Sequence, residues 1–223
     1  MNFYDSLLDR TAAERSYLLS APIFSDVEAG RVSLEGYVAF LTEAYHHVKH
    51  TVPLLMACGA GLPAERLDWL RTAVAEYIEE EVGHEKWILN DLRACGADLL
   101  RVVEGQPSLP TELMVSYVYD RIARTSPVSM FGMVLVLEGT SIALATDAAE
   151  RIQQALDLPD AAFSYLCSHG SLDIGHMQTY QGLMNRLYHP DDREAVVRTA
   201  KVVYRLYGDM FRSLPRVREE VTA

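Results

Sequence analysis

The stretch MFGMVLVLEGTSIALA, residues 130–145, is long and apolar and contains one charged residue, Glu138. The segment that begins at Val128 approaches the length of a membrane span, but it also includes hydroxyl side chains and glycines. A carboxylate at the centre of a bilayer is costly. The stretch is therefore predicted to form a helix in the core of a globular protein.

The rest of the chain repeats this helical pattern. Apolar residues recur at spacings of three and four, and short alternating runs of β-branched residues are missing. Seven or eight helices joined by short loops predict an all-α helical bundle that forms a single domain over residues 1–223. The first predicted helix is Tyr4–Leu19, and a short helix follows Pro22. The third is capped by Ser33 and runs through Cys58 with a kink at Pro53, and the fourth runs from Pro63 to a stop at Gly96. The remaining predicted helices are Thr111–Thr125, Val128–Leu156, Asp160–Leu187 and Asp191–Leu214.

Composition narrows the function classes. The 223 residues are 49% hydrophobic and 23% charged, which is typical of an ordered globular protein. A net charge of -11 without a local Lys/Arg cluster argues against nucleic acid and against an anionic membrane surface as partners. Three widely spaced cysteines without a C-x-x-C pair, and a first segment without a secretion signal, predict a reducing, cytoplasmic location.

The stretch CSHGSLDIGHMQ, residues 167–178, places three titratable side chains at helical spacing. His169, Asp173 and His176 are four and then three residues apart, so they share one face of a helix over two turns. An unpaired carboxylate among the apolar neighbours would be unfavourable, which predicts a positive partner for Asp173. The alternative is that the three residues are polar, solvent-facing and without special function.

A second polar motif is EEEVGHEKW, residues 79–87. Glu81 and Glu80 lie three and four residues before His84, so either can meet it on a helix surface. Carboxylate-x-x-His is the spacing with which helical bundles present ligands to pairs of iron or manganese ions, and Asp173-x-x-His176 repeats it. The competing interpretation is a solvated acidic face.

Glu138 is a further candidate metal ligand. A buried carboxylate requires a nearby cation, a network of hydrogen-bond donors or protonation. An arginine from elsewhere in the fold is the simpler alternative. Together with the two motifs, Glu138 gives three carboxylates and three imidazoles on three predicted helices. This inventory suits two iron or manganese ions, whereas zinc more often takes fewer ligands or cysteine.

These motifs resemble those of the heme-oxygenase-like di-iron oxidase and oxygenase superfamily, which is related in fold to heme oxygenase, thiaminase-type proteins and the quinone synthase of pyrroloquinoline quinone biosynthesis. The resemblance covers nearly the whole chain and implies a heme-oxygenase-like helical bundle. It also implies two Fe ions, or a Mn/Fe pair, with O2 as co-substrate. The metal-binding and catalytic residues that it implies are Glu81 and His84 from one core helix, Glu138 from a second, and His169, Asp173 and His176 from a third.

The resemblance implies a non-heme di-iron enzyme that activates O2 to oxidise a small organic substrate by N-oxygenation, desaturation or C–C cleavage, in a biosynthetic pathway. An external electron donor and a homodimer are further expectations. The alternatives are a metal-free thiaminase-like or quinone-synthase-like enzyme, or a small-molecule-binding helical protein. A heme oxygenase is disfavoured because no histidine precedes His46, and a thiaminase because the Glu138 helix has no cysteine.

For several residues the sequence allows more than one role. His46, His47 and His50 could ligate metal, relay protons, contact substrate, or satisfy buried polar groups. Either Glu80 or Glu81 could be the ligand beside His84. An apolar wall around the metals is expected from Leu55, Met56, Met133, Leu137 and Met177.

Overall fold

The computed structural model describes residues 1–217, apart from the side chains of residues 169–174. Twelve α-helices and two short 3-10 turns make up this described part, which contains no strand. The all-α class predicted from the sequence is confirmed. The helices are α1 Phe3–Arg10, α2 Ala12–Leu19, α3 Pro22–Glu28, α4 Leu34–Val48, α5 Thr51–Gly61, α6 Ala64–Glu81, α7 His84–Ala94, α8 Leu99–Glu104, α9 Leu109–Arg124, α10 Met130–Leu156, α11 Ser164–Arg186 and α12 Pro190–Ser213.

The helices outnumber the seven or eight predicted, mainly because three long predicted helices are broken. The first is interrupted at Thr11. The helix capped by Ser33 is interrupted at Lys49 and His50, where α4 gives way to α5. Pro53 explains that break, because it has no N–H to offer the carbonyl of Lys49 and its ring crowds the same carbonyl.

The third break separates α6 from α7. Gly83 adopts a left-handed backbone conformation, with φ of 96°, so the chain turns between Glu81 and His84. This conformation favours glycine, which has no Cβ. The predicted stop at Gly96 is confirmed, and that residue is also left-handed, with φ of 76°. The sequence prediction missed α8, whose first amide groups are capped by the Asp98 side chain.

Helix α10 lies at the centre of the bundle and packs mainly against α11 and α12. The segment Pro127–Leu156 is long and apolar enough to span a membrane, but 67% of its most apolar window is buried inside the protein. This burial agrees with the predicted core helix.

Two hydrophobic cores meet along α10. The first core includes its residues up to Val136, together with parts of α5, α6, α9 and α12. The second includes its residues from Ala145 onward, together with parts of α4, α7 and the start of α11. Glu138 lies on the segment between these two sets, so the carboxylate is placed at the boundary between the cores.

Candidate metal centre

Three side chains from three helices meet at this boundary. Ligand atoms of Glu81, Glu138 and His176 all lie within 4.8 Å of one another. The two glutamates are 5% and 6% exposed, so the cluster is largely shielded from water. His176 Nδ1 lies 3.7 Å from Glu138 Oε1. The structure thus brings together one residue from each of the three sequence motifs.

His84 joins the cluster through Glu81. Its Nδ1 lies 3.1 Å from Glu81 Oε2, and its buried ring stacks on Trp87 with the ring centroids 4.0 Å apart. The expectation that both residues belong to one core helix is wrong, because Glu81 ends α6 and His84 begins α7. The pair forms across the turn at Gly83.

Glu80 occupies a different position from Glu81. Its Oε2 lies 3.3 Å from His176 Nε2, but its side chain is 57% exposed. Glu80 therefore contacts the cluster from the solvent side, whereas Glu81 is one of its buried members. His169 and Asp173 lie outside the residues whose side chains the structure describes.

The donor set fits a metal ion. Bonds of about 2.0–2.2 Å from a metal to oxygen or nitrogen place two ligand atoms of one ion at most about 4.4 Å apart. The atoms of Glu81, Glu138 and His176 come within a few tenths of an ångström of this limit. Carboxylate and imidazole donors suit iron and manganese.

Two tyrosines, Tyr77 and Tyr180, lie beside the cluster. The Tyr77 ring meets the His176 ring edge-on, with the centroids 5.5 Å apart. Tyr180 is buried and its hydroxyl donates to the carbonyl of Phe131 at 2.8 Å. Burial raises the pKa of Tyr180 well above its ordinary value, and the nearby charge of Glu138 raises it further. Tyr180 is therefore kept as a neutral hydrogen-bond donor.

The cluster opens onto a cavity of about 420 Å³, whose lining includes Glu81, Glu138 and Tyr77. This volume is within the range of about 300–1,000 Å³ that is usual for small-molecule sites. The predicted apolar wall is partly correct, because Met133 and Leu137 line the cavity.

The other side chains assigned to that wall lie elsewhere. Leu55 is buried in the first hydrophobic core, which Met177 packs against, and neither residue lines the cavity. Met56 is 55% exposed, since α5 turns it away after the break at His50.

The three neighbouring histidines have separate roles in the fold. His47 is buried and lines the cavity, with its ring edge-on to Tyr207. His46 accepts from the Lys49 ammonium at 3.0 Å, and burial and that charge lower its pKa. His50 Nδ1 pairs with the Tyr119 hydroxyl at 3.2 Å, and burial lowers its pKa also. Of the three, His47 is the one placed to contact a bound molecule.

Comparison with solved structures identifies the fold. A domain of unknown function with a heme oxygenase-like fold from Shewanella denitrificans is similar with a TM-score of 0.82 and 22% identity, covering 95% of this chain and 90% of that one. A TenA homologue from Pseudomonas syringae is similar at 0.77 and 12% identity, covering 95% and 93%. Heme oxygenase from Leptospira interrogans is similar at 0.76 and 17% identity, covering 96% and 100%. These identities show the fold alone.

Sequence comparison identifies the family. No curated protein matches the chain. A family described as iron-containing redox enzyme matches residues 38–208, which include all the described cluster residues. The chain therefore has a heme-oxygenase-like fold and belongs to this family of iron-containing redox enzymes.

Proposed function

We propose that this protein is a non-heme di-iron oxidase or oxygenase that uses O2 to oxidise a small organic substrate. One observation carries the proposal: Glu81, Glu138 and His176, from three different helices, converge at the wall of a largely apolar cavity. The family match supports iron and redox chemistry. The closely grouped donors support a metal held directly by side chains.

In this proposal Glu81, Glu138 and His176 hold metal together with His84, and His169 and Asp173 supply the remaining ligands. Two iron ions, when bound, would supply electrons for the reduction of O2, with an external donor restoring them afterwards. The carboxylates offset the positive charge of the metal within the buried site. The apolar side chains of the cavity keep water away from the oxidation, which limits side reactions.

A thiaminase-like hydrolase receives less support. Its nucleophile would be a cysteine thiolate, and burial raises the pKa of Cys58 to about 12 and that of Cys95 to about 11. Neither thiol is therefore activated near neutral pH. Neither residue lines the cavity. All three cysteines are free thiols, which suits the reducing cytoplasm that we propose as the location.

The test is anaerobic incubation with Fe(II), measurement of iron per chain, and exposure to O2 while a transient visible absorption band is monitored. We expect two iron ions per chain, and we expect His176→Ala and Glu138→Ala to lose iron while their circular dichroism stays unchanged. His189→Ala is the control, because His189 is half exposed at the start of α12 and lies outside the cluster. Undiminished iron in folded His176→Ala and Glu138→Ala would contradict the proposal, as would the absorption spectrum of a heme protein.

A further inference from the structure

The wall of the cavity is helical except at two short segments, which we call the outer wall. Residues 31–33 connect α3 to α4, and residues 214–217 follow α12. Every other lining residue that the structure describes belongs to an α-helix. Backbone outside regular structure opens at a lower cost in free energy than a packed helix does. The outer wall is therefore the part of the lining that can move most easily.

The outer wall is also thin. The side chains of Arg31 and Arg216 are each 45% exposed, and Val217 is 45% exposed, yet all three residues line the cavity. By contrast, Tyr207 and Phe211 of α12 line the cavity and are buried. A single layer of side chains thus separates the cavity from solvent at the outer wall.

One buried carboxylate binds both segments of the outer wall. Asp26, on α3, is 3% exposed. Its Oδ1 accepts a hydrogen bond from the Arg31 guanidinium at 2.7 Å, and its Oδ2 accepts one from Arg216 Nε at 2.5 Å. Charge-assisted hydrogen bonds of this kind are stronger than bonds between neutral groups. Asp26 therefore holds the two segments against α3 at the same time.

The second segment is also seated on the helices beside it. Leu214 is buried in the first hydrophobic core. Pro215 lies against the start of α4, where a Cβ at Gly36 would come within 2.8 Å of the Pro215 carbonyl oxygen. If Arg216 leaves Asp26, the chain beyond Leu214 can lift away from Gly36 while Leu214 stays in the core.

We propose that Asp26 controls access to the cavity. While its carboxylate binds Arg31 and Arg216 the outer wall is closed, and release of either arginine opens a path between the cavity and solvent. The biological role of this path rests on the proposed use of the cavity as the substrate site. Opening of the outer wall itself requires neither metal nor substrate.

Access is measured with a thiol placed inside the cavity of the metal-free protein. Val134 is 5% exposed and lines the cavity, so Val134→Cys provides this thiol. Cys167→Ser in the same chain removes the exposed native thiol. The probe is methyl methanethiosulfonate, a small neutral reagent that converts a thiolate to a methyl disulfide. At low reagent concentration the rate of modification, followed by peptide mass spectrometry, is proportional to the fraction of molecules with an open cavity.

Substitutions at the outer wall should accelerate this modification. Arg216→Gln should raise the rate about fivefold to tenfold, because an ion pair with a half-exposed arginine is weakened by solvent but still significant. Arg216→Lys should raise it less, because the charge remains. Arg124→Gln is the matched control, since Arg124 is exposed on α9, which does not line the cavity. Unchanged rates in folded Arg216→Gln and Asp26→Asn would overturn the proposal.

A double variant tests whether Arg216 acts through Asp26. Asp26→Asn should accelerate modification more than Arg216→Gln, because it releases Arg31 as well. Adding Arg216→Gln to Asp26→Asn should then change the rate by less than about twofold, since the shared contact is already lost. Accelerations that multiply in the double variant would contradict control by Asp26.

Cys58 distinguishes opening of the outer wall from general loosening of the fold. It is fully buried in the first hydrophobic core and does not line the cavity. Its modification rate should therefore be the same in all variants, and an acceleration at Cys58 equal to that of the introduced thiol would contradict the proposal. Failure of the wild type to bind iron would count against the di-iron function alone, because the thiol measurements contain no metal.

Discussion

Two buried carboxylates close together determine the electrostatics of the cluster. Atoms of Glu81 and Glu138 lie within 4.8 Å of each other, and like charges at such a distance repel in a buried environment. A metal ion bound by both carboxylates would replace this repulsion with attraction. We therefore expect the two carboxylates to stabilise the metal-bound protein more than the metal-free one.

This reversal gives a prediction for Glu138→Gln, which keeps the shape of the side chain and removes the charge. The melting temperature of the metal-free variant should be equal to or higher than that of the wild type, whereas addition of Fe(II) should no longer raise it. Differential scanning calorimetry under anaerobic conditions measures both quantities. A variant that is strongly destabilised without metal would show that the contacts of the Glu138 carboxylate contribute more to the metal-free fold than its repulsion with Glu81 costs.

The neighbouring glutamates provide a matched pair. Glu81→Gln should lower the affinity for Fe(II) at least tenfold, because Glu81 is a buried member of the cluster. Glu80→Gln should change it less than threefold, because the Glu80 side chain is largely solvated where it contacts His176. Anaerobic titration with Fe(II) measures the affinity of each variant. Equal losses of Fe(II) affinity in the two variants would contradict the assignment of Glu81 as the ligand.

Asp26 gives a pH-dependent prediction. The Arg216 and Arg31 guanidinium groups hold the pKa of this buried carboxyl below its ordinary value, despite the opposing effect of burial. Its contribution to stability is therefore fully present above about pH 4 and is lost as the pH falls through the lowered pKa.

Asp26→Asn should accordingly reduce the free energy of unfolding by about 1–3 kcal/mol at pH 7, the usual value of hydrogen bonds to a charged group. The difference from the wild type should shrink as the pH falls below 4. Urea denaturation at a series of pH values measures it, and a difference that does not vary with pH would contradict an electrostatic origin.

At the level of elements, the sequence predicted the core helices well and their interruptions poorly. Helix α10 was predicted because its long apolar run and the prolines and serines before it leave few alternatives. The break at Gly83 was missed because a glycine in a strongly helical pattern does not reveal its backbone conformation. The two side chains of Glu81 and His84 nevertheless meet, because residues three apart can contact each other across a tight turn as well as on a helix.

Asp91 connects two helices that carry cluster residues. Located on α7, it accepts hydrogen bonds from the backbone N–H groups of Ser164 and Tyr165, at 3.0 and 2.8 Å, and from the Ser164 hydroxyl. These groups lie at the start of α11, which carries His176. Asp91 thus fixes the start of α11 against the helix that begins with His84.

Asp91→Ala should reduce stability by about 1–2 kcal/mol, as loss of a helix cap does, and should also weaken Fe(II) binding. Asp98→Ala is the control, because Asp98 caps α8 through the N–H groups of Leu100 and Arg101 and α8 carries no described cluster residue. It should cost a similar amount of stability and leave Fe(II) affinity unchanged. Chemical denaturation and anaerobic Fe(II) titration separate the two effects.

Close packing of α10 against α12 depends on Gly132. A Cβ at this position would lie 2.6 Å from both the Val196 carbonyl oxygen and the Ala200 backbone nitrogen, and neither backbone atom can move easily. Gly132→Ala should therefore reduce stability by about 1–3 kcal/mol or more. Gly139→Ala on the same helix meets no atom within 4 Å and should be neutral or stabilising by up to about 1 kcal/mol. Urea denaturation of both variants measures the contrast.

At the level of the whole molecule, the cavity could not be predicted from the sequence. Met56 and Met133 both have apolar neighbours at helical spacing, yet one is exposed and the other lines the cavity. Arg31, Arg151 and Arg216 come from distant parts of the chain, and no motif connects them. Their common position follows from the packing of α3, α10 and the segment after α12. The metal-ligand candidates were easier to find because titratable residues in apolar surroundings are unusual.

Metal should stabilise the whole fold, because its candidate ligands lie where the two hydrophobic cores meet. At free Fe(II) about 100 times above the dissociation constant, binding adds about 2.7 kcal/mol per site. For a chain of this size that corresponds to a rise in melting temperature of about 5–10 °C per site. Anaerobic calorimetry with Fe(II) and with a chelator measures the difference, and identical melting curves would contradict a buried metal centre.

The turn at Gly83 has a mechanical consequence. Because Glu81 and His84 stand on either side of it, the hinge between α6 and α7 can open only if their 3.1 Å contact lengthens. An ion bound by both side chains would hold α6 and α7 together at this turn. Amide hydrogen exchange at Val82 and Gly83 would then slow on metal loading, so this short turn reports from the protein surface whether the interior site is filled.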